Sequence, residues 1–269
     1  MKFILTGDTH GQVETRIKNI VRNMNIDINE PIGVIILGDT GLNFYLNKTD
    51  EENKKKLAQY GFYIYCVRGN HEERPENLNY QLFYDENVQG EVYLDPINNS
   101  IRYFKDGNVY NLEGHRTLVI GGAYSVDKWY RLRRAAMMES SFTGWFKDEQ
   151  LSIEEMKNIT NQVNDQSYDF ILSHTCPISW EPIDLFINVV DQSKVDKSME
   201  IWLDAIKFTF SWKIWCFGHY HADRLERPGV QMFYQKYEWL NDVWNRWEGE
   251  RTIRQDCLIP KSPLYYAEV

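Results

Sequence analysis

The four cysteines, Cys66, Cys176, Cys216 and Cys257, form no C-x-x-C pair and stand far apart, so they offer no thiol motif to read. Cys66 and Cys216 lie inside apolar runs, as buried reduced thiols do. No apolar stretch approaches the ~18 residues of a membrane span. The run Phe3-Ile4-Leu5 after Met1-Lys2 is too short for a secretory leader. A soluble cytoplasmic protein is expected, with no membrane partner. Basic residues are in deficit, 30 Lys and Arg against 39 Asp and Glu, for a formal charge of −9. That balance disfavours stable binding of duplex nucleic acid, which is gripped by basic surface, but it leaves room for a local basic pocket. Low-complexity segments and clear linkers are also missing. With 43% hydrophobic residues, disorder is excluded.

What remains is a chain of 269 residues that reads as one α/β domain over 1–269. Its catalytic core is expected at about 1–225, with a C-terminal strand and tail over 226–269. The apolar runs Lys2–Thr6, Ile32–Leu37 and Phe62–Val67 each end in a Gly-containing polar loop. From Asp8 to Asp39 is 31 residues, and from Asp39 to Asn70 another 31. Roughly that length makes a βαβ unit. Val13, Ile17, Ile20, Val21 and Met24 share one helical face between the first two runs. Thr49-Asp50-Glu51-Glu52 reads as a capping box before a helix over Lys54–Tyr60. The N-terminal third is thus βαβαβ with parallel strands. Val88–Leu94, Ile101–Phe104, Val109–Leu112 and Thr117–Ile120 read as an antiparallel meander. Ser152 opens a helix by a second capping box, Asp169–Ser173 is a strand, Ser198–Phe208 a helix and Lys213–Phe217 a strand. Residues 249–269 have weak pattern and read as a tail.

Five polar motifs fall at strand ends: Asp8-Thr9-His10-Gly11, Gly38-Asp39, Gly69-Asn70-His71-Glu72, His174, and Gly218-His219-Tyr220-His221. Open α/β sheets carry their sites at the carboxyl ends of strands. Five of the six histidines are in these motifs. Taken singly, each motif has an ordinary explanation as a helix cap, a turn or a core histidine. Together they make a mixed oxygen and nitrogen ligand set, suited to Mn²⁺, Fe or Zn²⁺.

In these blocks the chain resembles the calcineurin-like metallophosphoesterases. Their pattern is D-x-H, G-D, G-N-H-[DE], a lone H, then G-H-x-H, and all five blocks occur here in order from Asp8 to His221. The resemblance implies a two-sheet β-sandwich flanked by helices, with two divalent metal ions as cofactors, manganese expected and iron, zinc or nickel as alternatives. It implies one ion held by Asp8, His10, Asp39 and His221, and the other by Asp39, Asn70, His174 and His219, with Asp39 bridging. His71 would face the substrate without binding metal. Independently, two ions ~3.5–4 Å apart clamp the attacking and leaving oxygens of a phosphoryl displacement and activate water. A histidine is a suitable general acid for the leaving alkoxide. For Glu72 two readings stand: indirect support of ion binding, or surface.

The G-D-x-H-G and G-N-H-E forms resemble Ser/Thr protein phosphatases and diadenosine tetraphosphatases. Their middle block, G-D-x-V-D-R-G, is here Gly38-Asp39-Thr40-Gly41-Leu42-Asn43-Phe44, without the arginine. Substitute phosphate-binding cations are sought in Arg131, Arg133 and Arg134, with Lys128 beside them, and in Arg68 and Arg74 around the Asn70 loop. A solvated helix face explains the first cluster equally well. Tyr234, Tyr237, Trp239, Trp244 and Trp247 are expected to cover the second sheet or form a dimer contact, and stacking on a base is the rival use. His115 receives no role. The functional expectation is hydrolysis of phosphate monoesters, either a phosphoprotein or a small ester or nucleotide. The alternatives are a phosphodiesterase or nuclease on the same site and, last, a non-catalytic interaction module.

Overall fold

The computed structural model describes residues 1–27 and 30–256. The first three apolar runs become parallel strands β1 (Lys2–Thr6), β2 (Ile32–Ile36) and β3 (Tyr63–Cys66), with Leu5, Ile35 and Tyr65 in register. Between β1 and β2, helix α1 (Val13–Asn23) buries Val13, Ile17 and Ile20. Val21, expected on that face, is 44% exposed. Helix α2 (Lys48–Leu57) precedes β3. It starts earlier than the Thr49 capping box suggests, because Asn47 has extended backbone and its side chain accepts from the Thr49 amide at 2.8 Å.

The remaining strands of the first sheet are β4 (Gln81–Asp85), β5 (Gly90–Leu94) and β6 (Ile101–Phe104). The second sheet is built from β7 (Val109–Leu112), β8 (His115–Ile120), β9 (Ser167–Ser173), β10 (Ser211–Phe217), β11 (Arg224–Arg227) and β12 (Val230–Met232). A last strand, β13 (Tyr237–Trp239), returns to the first sheet beside β1. The orders are β13-β1-β2-β3-β6-β5-β4 and β11-β12-β10-β9-β8-β7. The expected single meander is therefore divided. β6 pairs parallel with β3 and buries all four of its residues, and the turn at Asp106-Gly107-Asn108 then carries the chain to the second sheet.

Helices α3 (Lys128–Met137), α4 (Ile153–Val163), α5 (Ser198–Ile206) and α6 (Leu240–Asp256) complete the described chain. The Ser152–Glu155 capping box opens α4 as expected. Residues 249–256, expected as tail, continue α6, while 257–269, with Cys257, lie outside the described residues.

Leu5, Ile35 and Tyr65 from one sheet pack in one cluster with Leu172, Ile214 and Cys216 from the other. Leu240, Val243 and Trp247 of α6 join this cluster. Outer clusters lie under α1 and α2 on the first sheet and under α4 and α5 on the second. Of the late aromatics, Trp244 covers the second sheet from its inner side, lying on Phe170 of β9 and His115 of β8, and Trp247 joins the inter-sheet core, whereas Tyr237 and Trp239 pack with the outer layer of the first sheet. His115 is held by Asn241 at 2.9 Å and lies on Trp244. Among the described residues no helix is long and apolar enough to cross a membrane.

Candidate metal centre

The loops after β1, β2, β3, β9 and β10 meet at one point. The first two are zipped together by their backbones: the amides of Thr9 and His10 donate to the Asp39 carbonyl at 3.1 and 2.8 Å, and Gly11 donates to the Thr40 carbonyl at 2.8 Å. Gly38 lies at φ 95°, and a Cβ there would run into the His174 ring. Only glycine lets that histidine approach. His10, Asp39, His219 and His221 also sit at positive φ, 44°, 48°, 68° and 52°. Such backbone is uncommon outside glycine and clusters at functional sites.

Asp8, His10 and His221 offer ligand atoms all within 4.8 Å of one another. His10 Nε2 and His221 Nε2 are 2.8 Å apart, and His221 Nε2 is 3.3 Å from Asp8 Oδ2. That carboxylate oxygen is buried and has no hydrogen-bond partner. Asp39 lies between this group and the next. Its Oδ2 is 3.9 Å from His10 Nδ1, and its Oδ1 is 3.5 Å from His174 Nε2. His219 stacks edge-on to His174 with ring centroids 5.0 Å apart, and its amide donates to Asp8 Oδ1 at 3.2 Å.

The second group tests whether a cation fits. His174 Nδ1 is 2.8 Å from the Leu37 carbonyl, which can only accept, so Nδ1 carries the proton. Its Nε2 then presents a lone pair. Asn70 Nδ2 donates to Ser125 Oγ at 2.9 Å, and Ser125 donates on to Glu149 at 2.5 Å. This turns Asn70 Oδ1 toward His174 Nε2, 2.8 Å away. Two acceptors thus face each other in a buried place, which calls for a positive centre near both. The carbonyl contact of His174 is the usual outer support of a metal-ligating imidazole.

Charge states agree with that donor set. Burial lowers the titration of His174, and of His219 more strongly, while partial burial brings His10 down to about 4. These imidazoles are neutral and can donate lone pairs. Burial pushes the Asp8 carboxyl well up, and the Asp39 charge adds to it. Burial acts the same way on Asp39, but the charge that the neighbouring imidazoles of His71, His174 and His10 take up in acid outweighs it and holds that carboxyl down.

His71 stands apart from this set. Its Nε2 is 3.8 Å from Asp39 Oδ2 and 3.5 Å from Arg131 Nη2, and its Nδ1 is buried without a partner. Glu72 is buried rather than surface. Its carboxylate accepts from the Gly69 amide at 2.8 Å and from the Thr40 hydroxyl, tying the Asn70 loop to the Asp39 loop.

The cation candidates separate. Arg131 lines the same cavity as His10, Asp39, Asn70 and His71, anchored by Asp127 at 2.7 Å and the Gly144 carbonyl at 2.7 Å. Arg134 lines a different cavity with Tyr45, Tyr130 and Phe142, and Arg133 is exposed and lines none of the described cavities. Arg68 is engaged by Asp106 and the Gly121 and Glu149 carbonyls, and Arg74 by Glu155 and the Asp148 and Gln150 carbonyls. Both hold loops together. Two residues at the centre carry no motif signal. Arg16 donates to the Asp8, Tyr234 and Gly7 carbonyls, and Tyr234 stacks on His221 at 4.9 Å. Arg16 lies on α1, one helical turn past Gln12, so its sequence position looks like ordinary solvated surface.

The chain matches no curated protein. Among solved structures it is similar to a phosphopantetheinyl hydrolase from Mycobacterium tuberculosis, at 12% identity and a TM-score of 0.42, over 91% of this chain and 92% of that one. The family model for calcineurin-like phosphoesterases matches residues 1–223. With that match across most of its length, the chain belongs to the calcineurin-like phosphoesterases, metal-dependent hydrolases of phosphate esters.

Proposed function

We propose that this chain hydrolyses phosphate monoesters at a centre for two divalent ions, as a single domain whose catalytic core is about 1–225. Asp8, His10, Asp39 and His221 would hold one ion, and Asp39, Asn70, His174 and His219 the other, with Mn²⁺ the expected metal. The observation that carries the reading is the pair of facing acceptors, Asn70 Oδ1 and His174 Nε2, 2.8 Å apart beside Asp39, next to the separate Asp8, His10 and His221 group. Bound there, the ions would supply Lewis acidity toward water and the phosphoryl oxygens.

The protein's own groups account for the rest. His71 has one nitrogen beside Arg131 and the other without a partner, and it is suited to give a proton to the leaving oxygen. Arg131 has its Nε and Nη1 committed to Asp127 and Gly144, which leaves Nη2 beside His71 to bind a non-bridging phosphate oxygen. Outer bonds fix the lone pairs of His174 and Asn70, so those groups need no rearrangement when charge develops.

A second reading is favoured by one feature. A lobe of about 290 Å³ lined by Phe44, Tyr45 and Asn53 lies beyond His10, His71 and Arg131, on which the main cavity also opens. A diester has a substituent for each lobe, and a monoester has one. Turnover of p-nitrophenyl phosphate against bis-p-nitrophenyl phosphate, with Mn²⁺ and with chelator, decides between them. Full activity in chelator would overturn both readings.

A further inference from the structure

The cavity that opens on the candidate metal centre has a volume of about 560 Å³ and reaches well past it. Its far wall comes from residues 181–197, a segment of short turns that presents Leu185, Phe186, Ile187, Val190 and Val195. A phosphate group needs none of that apolar surface. Leu185 and Ile187 are 39% and 60% exposed, so they present uncovered apolar area at the chamber.

Glu200, in the first turn of α5, also lines this chamber. It is 3% exposed. Its Oε1 accepts from the Thr175 hydroxyl at 2.8 Å, and its Oε2 is buried with no hydrogen-bond partner. Of the other carboxylates at the chamber, Glu181 is paired with Lys197 at 2.5 Å, Asp39 belongs to the candidate centre, and Asp127 holds Arg131 through Oδ2 at 2.7 Å while its Oδ1 has no partner. Along the far wall, Glu200 is therefore the acid with an oxygen that lacks a donor. A buried carboxylate oxygen without one is unfavourable, and a ligand that brings a donor relieves it.

We propose that this chamber receives the leaving group of the substrate and selects one with an apolar body ending in a nitrogen donor, an amine or amide N–H, bonded to Glu200 Oε2. The inference rests on the phosphoesterase reading of the adjoining centre. Six apolar side chains, with Val126, match the body. Tyr220 also lines the chamber, its ring nearly parallel to that of Phe186 at 6.4 Å, and Lys197 already lies over the Phe186 ring at 4.5 Å, so the nitrogen donor is assigned to Glu200 and not to a ring face. Burial holds the Glu200 carboxyl up at about 7, as expected for an acid awaiting a partner.

A purely structural role for Glu200 makes a different forecast. Thr175 follows His174, and its hydroxyl also meets Tyr220, which lies between His219 and His221. A clip of that kind would affect every substrate equally.

The test is steady-state kinetics of the full chain loaded with Mn²⁺ on ethyl, hexyl and 6-aminohexyl phosphate, each as monoester and as methyl diester. The leaving groups are all primary alkoxides, so the comparison reads binding. KM should fall at least tenfold from ethyl to hexyl and at least fivefold further with the amine. Glu200→Gln should erase the amine gain and keep the hexyl gain. Ile187→Asp, at an exposed position, should reduce the hexyl-to-ethyl advantage and keeps the test decisive should Glu200→Gln fail to fold. Equal KM values, or Glu200→Gln slowing all three alike with the amine gain intact, would overturn the inference and leave the phosphoesterase reading standing. No turnover of any ester would instead overturn that reading, and the inference with it.

Discussion

The backbone amide of His71 donates to Asp39 Oδ1 at 2.8 Å, while the His71 imidazole lies 3.8 Å from the other oxygen of the same carboxylate. The residue thus supports Asp39 through a bond that survives loss of its side chain. His71→Ala should retain metal and lose about 10²–10⁴-fold in kcat, the usual span for general acid catalysis. The loss should shrink for an ester with a good leaving group. Metal analysis alongside kinetics checks this, and a fall in metal content would mean that His71 is a ligand.

Asp39 turns one carboxylate oxygen toward each group of candidate ligands, Oδ2 at 3.9 Å from His10 and Oδ1 at 3.5 Å from His174. Asp39→Asn should lower metal content more than any other single change in the set, since it removes charge between His10 and His174. Elemental analysis after dialysis gives the readout. Stoichiometry equal to wild type would refute the bridging role.

Glu72 joins the Thr40 hydroxyl to the Gly69 amide, one from each loop that carries a candidate ligand. Glu72→Ala leaves a buried amide and hydroxyl unpaired, which costs about 1–3 kcal/mol apiece. Weaker metal binding by calorimetry and a lower Tm should accompany each other. If Tm falls and metal affinity does not, the clip serves the fold alone.

Arg131→Ala should raise KM for phosphate esters at least several-fold, because its guanidinium reaches His71. Arg133→Ala should leave KM within twofold, since that side chain is exposed and lines none of the described cavities. Equal effects of the two would mean that the helix acts as a diffuse basic surface.

Glu200 gives a pH signature. Its carboxyl is raised by burial from 4.5 to about 7 in the folded chain, so the folded state holds a proton that the unfolded state has lost over that window. Its contribution to stability should be greatest below pH 4.5, fall as pH rises toward 7, and level off above. The full shift corresponds to about 3 kcal/mol. Urea unfolding of the metal-free protein at pH 5 and pH 8 should show a smaller difference in Glu200→Gln than in wild type.

Much of this centre was legible because its chemistry falls where strands stop. Apolar runs ending in Gly-Asp or Gly-Asn announce both a strand and a polar loop at its carboxyl end, and the structure brings Asp8, Asp39, Asn70, His174 and His219 together there. The second sheet was harder to see. Residues 101–120 look like one meander because strand pattern reports which residues are buried and not which sheet they join, with β6 burying all four of its residues and β7 alternate ones. β4 escaped notice because an edge strand with four of five residues exposed has no alternation to read. Arg16 and Glu200 were missed for a related reason: a charged residue on a helix has the same pattern whether it faces water or reaches a distant loop.

Four of the seven residues proposed as ligands, His10, Asp39, His219 and His221, hold left-handed backbone. Each such position costs of order 1–3 kcal/mol, and glycine would relieve it. The most stable version of this fold therefore lacks the side chains that make it an enzyme. A lineage released from its reaction would gain stability by losing these four, and would keep both sheets while doing so. The surviving fold would then be a poor guide to the surviving chemistry, and the torsion angles at these four positions a better one.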